Sequence, residues 1–226
     1  MKISCGGFRD DGFAVIPEVI PPYYCEAIAG CIQNSERSAT GARTLLSERW
    51  CRELAASVRR NPALARIVPP ESVAVQCTLF EKSPDRNWLV SIHQDLSIPV
   101  KERVPHDELI GWSMKEGVLF VQPPAGVLES LTAVRLHLDD CGPGTGGLRV
   151  VPGSHVFGRI GPERAADIRA ECGEVEPAVN RGDVLAMRPL VLHASSKARI
   201  AALRRVLHFV FGPPSLPFGL SWPDSV

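Results

Sequence analysis

The stretch Leu89-Val90-Ser91-Ile92-His93-Gln94-Asp95 joins an apolar, strand-like run to two residue types that bind metals. Residues two apart on a β-strand point to the same face, so His93 and Asp95 could reach one ion together. An imidazole and a carboxylate are two of the three ligands in a 2-His-1-carboxylate metal site. A surface histidine beside an aspartate that starts a loop would look the same. A second, distant histidine therefore has to decide between the two interpretations.

His193 ends a short apolar run 98 residues after Asp95, and it supplies a third ligand if the fold brings the two strand ends together. Arg204 follows eleven residues later, at the start of the last strand-like run. A guanidinium there could hold the far carboxylate of 2-oxoglutarate through two parallel hydrogen bonds. Ser195 could donate a hydroxyl hydrogen bond to the same carboxylate. The spacing thus predicts a metal site beside a dicarboxylate site.

The composition is that of an ordinary globular protein, with 226 residues of which 45% are hydrophobic and 22% charged. The 25 basic and 25 acidic residues cancel, which disfavours nucleic acid or a membrane surface as partner. The seven cysteines include no C-x-x-C pair, which argues against a disulfide framework and a structural zinc site. The first seven residues lack the apolar segment of a signal peptide. We therefore expect a soluble, cytoplasmic protein with reduced thiols.

Residues 1–70 are predicted to be mostly helical. After a short strand at Phe13–Ile16, Pro22 suits the first turn of a helix with an apolar stripe. A second helix is expected to begin after Ser47, which is a plausible N-cap. Both stripes are interpreted as packing surfaces for a core.

From Val73 onward the apolar pattern changes from period 3.6 to period 2, and many short strands separated by frequent turns follow. This pattern predicts a β-sandwich or barrel. The proline-rich section 97–130 is either a lid over the site or a surface excursion. Because no convincing linker interrupts the sequence, we predict a single domain over 1–226.

Five motifs in this order resemble the phytanoyl-CoA dioxygenase-like family of iron(II)/2-oxoglutarate oxygenases. They are His93-x-Asp95, Gly146-Gly147-Leu148-Arg149-Val150-Val151-Pro152-Gly153-Ser154-His155, Arg181-Gly182-Asp183, His193-x-Ser195 and Arg204. The resemblance runs from Phe13 to Phe211. It implies a mainly β fold: a double-stranded β-helix (jelly-roll, cupin-like) core over 71–212, with N-terminal α-helices packed outside.

The resemblance also implies the roles of individual residues. His93, Asp95 and His193 would be the catalytic iron(II) ligands, and Arg204 and Ser195 would bind the C5 carboxylate of 2-oxoglutarate. Gln76 matches, more loosely, a position that often contacts this co-substrate.

The sequence departs from the family pattern at Arg135 and His137, where many relatives have a tryptophan and a small residue. Both should lie on one face of a strand, and that face could line the cavity. A buried arginine needs a carboxylate nearby. It could belong to the substrate, to the co-substrate, or to Asp139 or Glu129, and a structural pair within the protein is the favoured interpretation.

The expected activity is that of a hydroxylase-type dioxygenase that uses iron(II), 2-oxoglutarate and O2, and releases succinate and CO2. Arg135 and His137, with Trp112 from the 97–130 section, favour a small polar or carboxylated substrate. Because Asp95 is present, a halide has no obvious vacant ligand position, which favours hydroxylation over halogenation. Two alternatives stay open: a non-catalytic jelly-roll protein that binds metal or 2-oxoglutarate, and a cupin-like metal enzyme without co-substrate.

Overall fold

Antiparallel β-strands make up most of the ordered secondary structure in a computed structural model, which describes residues 7–34 and 43–226. Residues 1–6, on which the predicted absence of a signal peptide partly rests, lie outside these ranges. The strands are β1 (Phe13–Ile16), β2 (Val73–Lys82), β3 (Val90–His93), β4 (Ile98–Val100), β5 (Ile110–Lys115), β6 (Val118–Gln122), β7 (Thr132–His137), β8 (Leu148–Val150), β9 (Val184–Met187), β10 (His193–Ser195) and β11 (Arg204–Gly212). The α-helices are α1 (Phe8–Asp11), α2 (Pro22–Gln33), α3 (Arg49–Arg59), α4 (Ala125–Glu129) and α5 (Pro162–Cys172).

The largest sheet has five strands in the order β1-β9-β7-β11-β2. Its longest pairing joins β11 to the edge strand β2, from Arg204 opposite Lys82 to Gly212 opposite Val73. On its other side β11 pairs with β7, and this register sets His208 opposite Arg135. Directly opposed residues of antiparallel strands project to the same face, so these pairs fix which side chains share the inner surface.

A three-stranded sheet, in the order β3-β10-β8, faces the inner surface of the large one. Apolar side chains from both sheets meet in one cluster between them, including Phe13 and Met187 from the large sheet and Val150 from the small one. The predicted fold class, a mainly β jelly-roll core with helices outside, is confirmed. Side chains from both sheets also line the cavity described below.

The outer face of the large sheet is aliphatic and is covered by the N-terminal helices. Val134 and Leu136 of β7 pack in one cluster with Ile28 of α2 and Leu54 of α3. Full burial of such a side chain stabilises the fold by roughly 1.5–3 kcal/mol. The apolar residues that recur with period 2 in the strand and with period 3.6 in the helices thus pack into the same core.

One predicted helix boundary is wrong. The N-cap of α3 is Glu48 rather than Ser47, because a short 3-10 turn over Leu45–Ser47 precedes the helix. The Ser47 hydroxyl donates to the Thr44 carbonyl oxygen within that turn, at 2.9 Å.

The section 97–130 forms its own antiparallel sheet, β4-β6-β5, followed by α4. Val100 and Val121 are buried in a cluster with Val75 of the large sheet and with Leu220 and Trp222 near the end of the chain. A packed sheet, and not an irregular loop, therefore follows the candidate metal ligands. Its movement as a lid stays a prediction.

Among the described residues, no helix has the length and apolar character that crossing a membrane requires. The six cysteines in these ranges are all free thiols.

Candidate active site

Two neighbouring strand ends of the small sheet hold the candidate metal ligands. His93 is the last residue of β3 and His193 the first of β10, and the antiparallel register sets them opposite each other. Asp95 follows β3, where its backbone N–H donates to the Pro189 carbonyl oxygen at 2.9 Å. One ligand atom from each of the three side chains lies within 4.8 Å of the others. The sequence-predicted group is thus brought together as a set that could hold a metal ion.

Hydrogen bonds to the backbone fix the orientation of both imidazoles. His93 Nδ1 lies 2.8 Å from the Ser91 carbonyl oxygen, and His193 Nδ1 lies 3.0 Å from that of Val191. A carbonyl oxygen can only accept, so each Nδ1 carries the hydrogen and each Nε2 keeps a free lone pair. This is the arrangement in which a neutral histidine binds a metal.

The protonation states of the group also suit metal binding. Burial lowers the pKa of His193 to about 4, against the opposing effect of Asp95, so its ring is neutral at physiological pH. Burial alone would raise the pKa of Asp95, but the nearby His193, His208 and His93 rings and Arg135 together hold it below its usual value. His193 therefore offers a neutral nitrogen and Asp95 a carboxylate, two of the ligand types of such a metal site.

A third histidine, His208 of β11, lies beside this group. Its Nε2 is 3.9 Å from Asp95 Oδ2, and its Nδ1 is 2.9 Å from Arg135 Nη1. Since a guanidinium can only donate, Nδ1 accepts and the ring hydrogen sits on Nε2, facing the carboxylate. His208 therefore points its N–H toward Asp95, at a separation too long for a hydrogen bond, and has no free lone pair for a metal.

A cluster of buried donors lies at the other end of the same cavity. Arg204 is 3% exposed and its Nε has no hydrogen-bond partner in the described residues. The side chain of Lys82, opposite Arg204 in the register, lies against Ser195. Its Nζ donates to the Ser195 hydroxyl at 3.1 Å and to the carbonyl oxygens of Ser196 at 2.6 Å and Gly146 at 3.2 Å. Burial and the charge of Arg204 lower the pKa of Lys82 to about 8.

Sequence reasoning missed Lys82 because Lys82-Ser83-Pro84-Asp85 was interpreted as a turn. The alternation of β2 carries the signal: Lys82 is an even number of residues after Gln76 and so shares its face. The turn begins one residue later, and Lys82 still belongs to the strand.

The cavity has a volume of about 90 Å³ and opens to solvent. Six sequence-predicted residues line it, namely His93, Asp95, Arg135, His193, Ser195 and Arg204. Phe80, Lys82 and His208 also line it. In the part of the chain that the structure describes, no carboxylate makes an ion pair with Lys82, Arg135 or Arg204, since the ion pairs found there involve other cations. Asp95 is thus the one carboxylate in the lining.

The favoured interpretation of Arg135, a structural pair with a protein carboxylate, is wrong. Asp139 is engaged by Arg205, which donates to it through Nε at 2.9 Å and Nη2 at 2.8 Å. Glu129 meets an arginine only through its backbone oxygen, which accepts from Arg188. Arg135 instead contacts His208 and lies over the Phe80 ring, 5.1 Å from its centroid.

Three predicted site residues lie outside the cavity lining. Gln76 is on the inner face of β2, but its amide donates to Thr78 and it lines a separate depression beside the 97–130 sheet. His137 is buried on the inner face, and neither of its ring nitrogens has a hydrogen-bond partner among the residues that the structure describes. Trp112 donates to the Leu109 carbonyl oxygen and stacks under Arg103. Their roles stay predictions, and the cavity lining does not support them.

The family model described as phytanoyl-CoA dioxygenase matches residues 8–206, which is most of the chain. No curated protein matches the chain. Among solved structures, AviO1 from Streptomyces viridochromogenes Tue57 is 22% identical, with 93% of each chain covered and a TM-score of 0.63.

Two further solved structures are similar. HygX from Streptomyces hygroscopicus, with nickel and 2-oxoglutarate bound, is 18% identical over 91% of this chain and 84% of its own, with a TM-score of 0.63. SnoK, a non-heme alpha ketoglutarate dependent carbocyclase from nogalamycin biosynthesis, is 17% identical over 97% of this chain and 90% of its own, with a TM-score of 0.62. At these identities the likeness shows a common fold.

Proposed function

Because the chain belongs to the phytanoyl-CoA dioxygenase family, we propose that it is an iron(II)- and 2-oxoglutarate-dependent dioxygenase of the hydroxylase type. Its substrate is a small polar or carboxylated molecule, and succinate and CO2 are released. One observation carries the proposal: a His-Asp-His group and a buried arginine without a carboxylate partner meet in one cavity.

The donor set fits iron(II). His93 and His193 present free Nε2 lone pairs, and Asp95 adds one negative charge, which is the 2-His-1-carboxylate set of non-haem iron oxygenases. Bound there, the metal supplies the oxygen chemistry, and the protein supplies orientation and an environment from which water is excluded. A cupin-like site would instead offer clustered histidines with a glutamate.

The opposite end of the cavity fits the far carboxylate of 2-oxoglutarate. Arg204 has an unpartnered Nε and no ion pair, so a carboxylate there would satisfy a buried charge. Ser195 provides a hydroxyl beside it, and the Lys82 ammonium, whose three donors are taken by Ser195, Ser196 and Gly146, adds a positive charge. The guanidinium and the hydroxyl would hold one end of the dianion and direct the other toward the histidines.

We keep the prediction of a single domain, because both ends of the described chain join the large sheet. β1 is its edge strand beside β9. Val226 exchanges two backbone hydrogen bonds with Ala74 of β2, at 2.9 and 3.1 Å.

The test is anaerobic addition of iron(II) and 2-oxoglutarate, followed by the weak visible absorption of the chelate. We expect a band in the wild-type protein, its loss in His93→Ala and Arg204→Ala, and its retention in His155→Ala, a histidine outside the cavity. Succinate formation on admission of O2 would separate a catalyst from a protein that only binds. No band in folded, iron-loaded protein would contradict the proposal and favour a metal enzyme without co-substrate.

A further inference from the structure

Arg135 is a buried cation that the metal and co-substrate sites leave unused. It is 6% exposed, projects from β7 into the cavity, and lies opposite His208 in the strand register. Its Nε has no hydrogen-bond partner among the described residues. An arginine this deeply buried is costly to maintain unless an anion meets it.

The contacts of Arg135 fix its plane without neutralising its charge. One edge donates to His208 Nδ1 at 2.9 Å, and the guanidinium carbon lies 5.1 Å from the Phe80 ring centroid. A neutral imidazole and an aromatic ring orient a cation but supply no negative charge. The remaining N–H groups keep the fork geometry that suits a carboxylate.

Binding of iron(II) and 2-oxoglutarate together does not change the net charge of the cavity. Iron(II) brings two positive charges and 2-oxoglutarate two negative ones, so they cancel. Lys82, Arg135 and Arg204 are then still opposed only by Asp95 among the residues lining the cavity. The loaded site therefore carries surplus positive charge, and a third component has to supply the anion.

The surplus positive charge lies near the metal ligands. The far carboxylate of the co-substrate has its donors at the Arg204 end, where Lys82 and Ser195 meet. Arg135 lies between that end and the metal ligands: the charges of both Arg204 and Asp95 act on its pKa, and its partner His208 reaches to within 3.9 Å of Asp95. From this geometry we propose that Arg135 binds a carboxylate of the primary substrate beside the metal ligands. The inference rests on the proposed function and narrows its substrate to the acidic class.

The test compares acids with amides of the same shape. Isothermal titration calorimetry of benzoate against benzamide, and of propionate against propionamide, would use protein loaded with nickel(II), with and without 2-oxoglutarate. The variants are Arg135→Gln, Arg135→Lys and, as a matched control, Arg188→Gln. Arg188 is also stacked on a phenylalanine, Phe8, but lies outside the cavity lining.

We expect wild-type protein to bind each acid at least about tenfold more tightly than its amide, as a charged hydrogen bond implies. Arg135→Gln should lose this preference, Arg135→Lys should keep part of it, and Arg188→Gln should keep it whole. The affinity of Arg135→Gln for 2-oxoglutarate should stay within about threefold of wild type.

Three results would overturn the proposal. Acids and amides could bind alike, the acid preference could survive in Arg135→Gln, or that variant could lose 2-oxoglutarate affinity tenfold or more. The last result would assign Arg135 to the metal-side carboxylate of the co-substrate. Failure of 2-oxoglutarate to bind at all would contradict the proposed function instead, and titrations without it would still decide the anion site.

Discussion

Two neighbouring arginines have different partners on the two faces of the five-stranded sheet. On the outer face, Arg205 donates three hydrogen bonds to Asp139, one from its backbone and two from its side chain. On the inner face, Arg204 is equally buried but makes no ion pair within the described residues. The two residues are adjacent in the chain, and the alternation of β11 separates them.

The difference separates structural charge from functional charge. A buried ion pair whose partners both come from the protein holds the fold together, and loss of either partner leaves an unpaired charge. A buried cation that the protein leaves unpaired is maintained for a ligand. On this basis Arg205 belongs to the scaffold, and Arg204 belongs to the cavity.

The largest expected effect is a contrast between two variants: Arg204→Leu should lose affinity for 2-oxoglutarate, and Arg205→Leu should lose stability. Arg204→Leu should weaken 2-oxoglutarate binding by about a hundredfold or more, because a charged bidentate contact is lost, with little loss of stability. Arg205→Leu should lower the free energy of unfolding by about 3 kcal/mol, at the low end for a buried pair because Asp139 is partly exposed. Calorimetry and urea denaturation of both variants would measure this. Similar losses of stability in the two variants would contradict the distinction between a structural Arg205 and a ligand-binding Arg204.

A smaller effect is expected at His208, whose hydrogen bond with Arg135 turns its Nε2–H toward Asp95. Replacing it by phenylalanine removes the N–H that faces the carboxylate, and metal affinity should fall by roughly tenfold, as for other groups that orient ligands. Cobalt(II) titration, read from its visible spectrum, would measure the affinity and the ligand geometry together. His155→Phe is the matched control. An unchanged affinity and spectrum would mean that His208 only packs.

The smallest expected effect is a pH dependence that sharpens the role of Lys82. Its pKa is lowered to about 8 by burial and by Arg204, so the ammonium is charged below that pH and neutral above it in free protein. Affinity for 2-oxoglutarate should fall as the pH rises through 8, by up to about tenfold per unit, because binding then has to take up a proton. Calorimetry in buffers below and above that pH would show the fall. A fall of equal size in Lys82→Met would assign it to another group.

Stability should respond to pH in the opposite direction. The folded pKa of Lys82 lies below the ordinary lysine value of 10.5, so the unfolded chain binds more protons between about pH 8 and that value. The contribution of Lys82 to stability therefore increases as the pH rises through this range. Comparing urea denaturation of wild type and Lys82→Met across that range would check the sign.

Sequence reasoning found the features that depend on local order. His93 and Asp95 are two residues apart, and His193 and Arg204 stand at strand ends, where period 2 and neighbouring turns mark them. The surroundings of Arg135 were not predictable in this way. They depend on the register of β7 against β11, which sets Arg135 opposite His208, and on Asp139 being engaged by Arg205.

Long-range contacts also explain the other differences. Gln76 and Lys82 share a face of β2, and only the pairing with β11 decides which of them lies beside Arg204. Trp112 was grouped with the substrate contacts because it follows the metal ligands in sequence. The packing of β5 against β6 turns its indole toward Leu109 instead.

The bonds that orient the two histidine ligands have a thermodynamic consequence. Each ring is held by the carbonyl oxygen two residues before it in the chain, Ser91 for His93 and Val191 for His193. The rings are therefore preorganised, and metal capture does not have to freeze their rotamers. Most of the side-chain entropy lost on binding falls on Asp95. When one metal replaces another, the two histidine rings should therefore stay in place. The only ligand side chain expected to move is the Asp95 carboxylate.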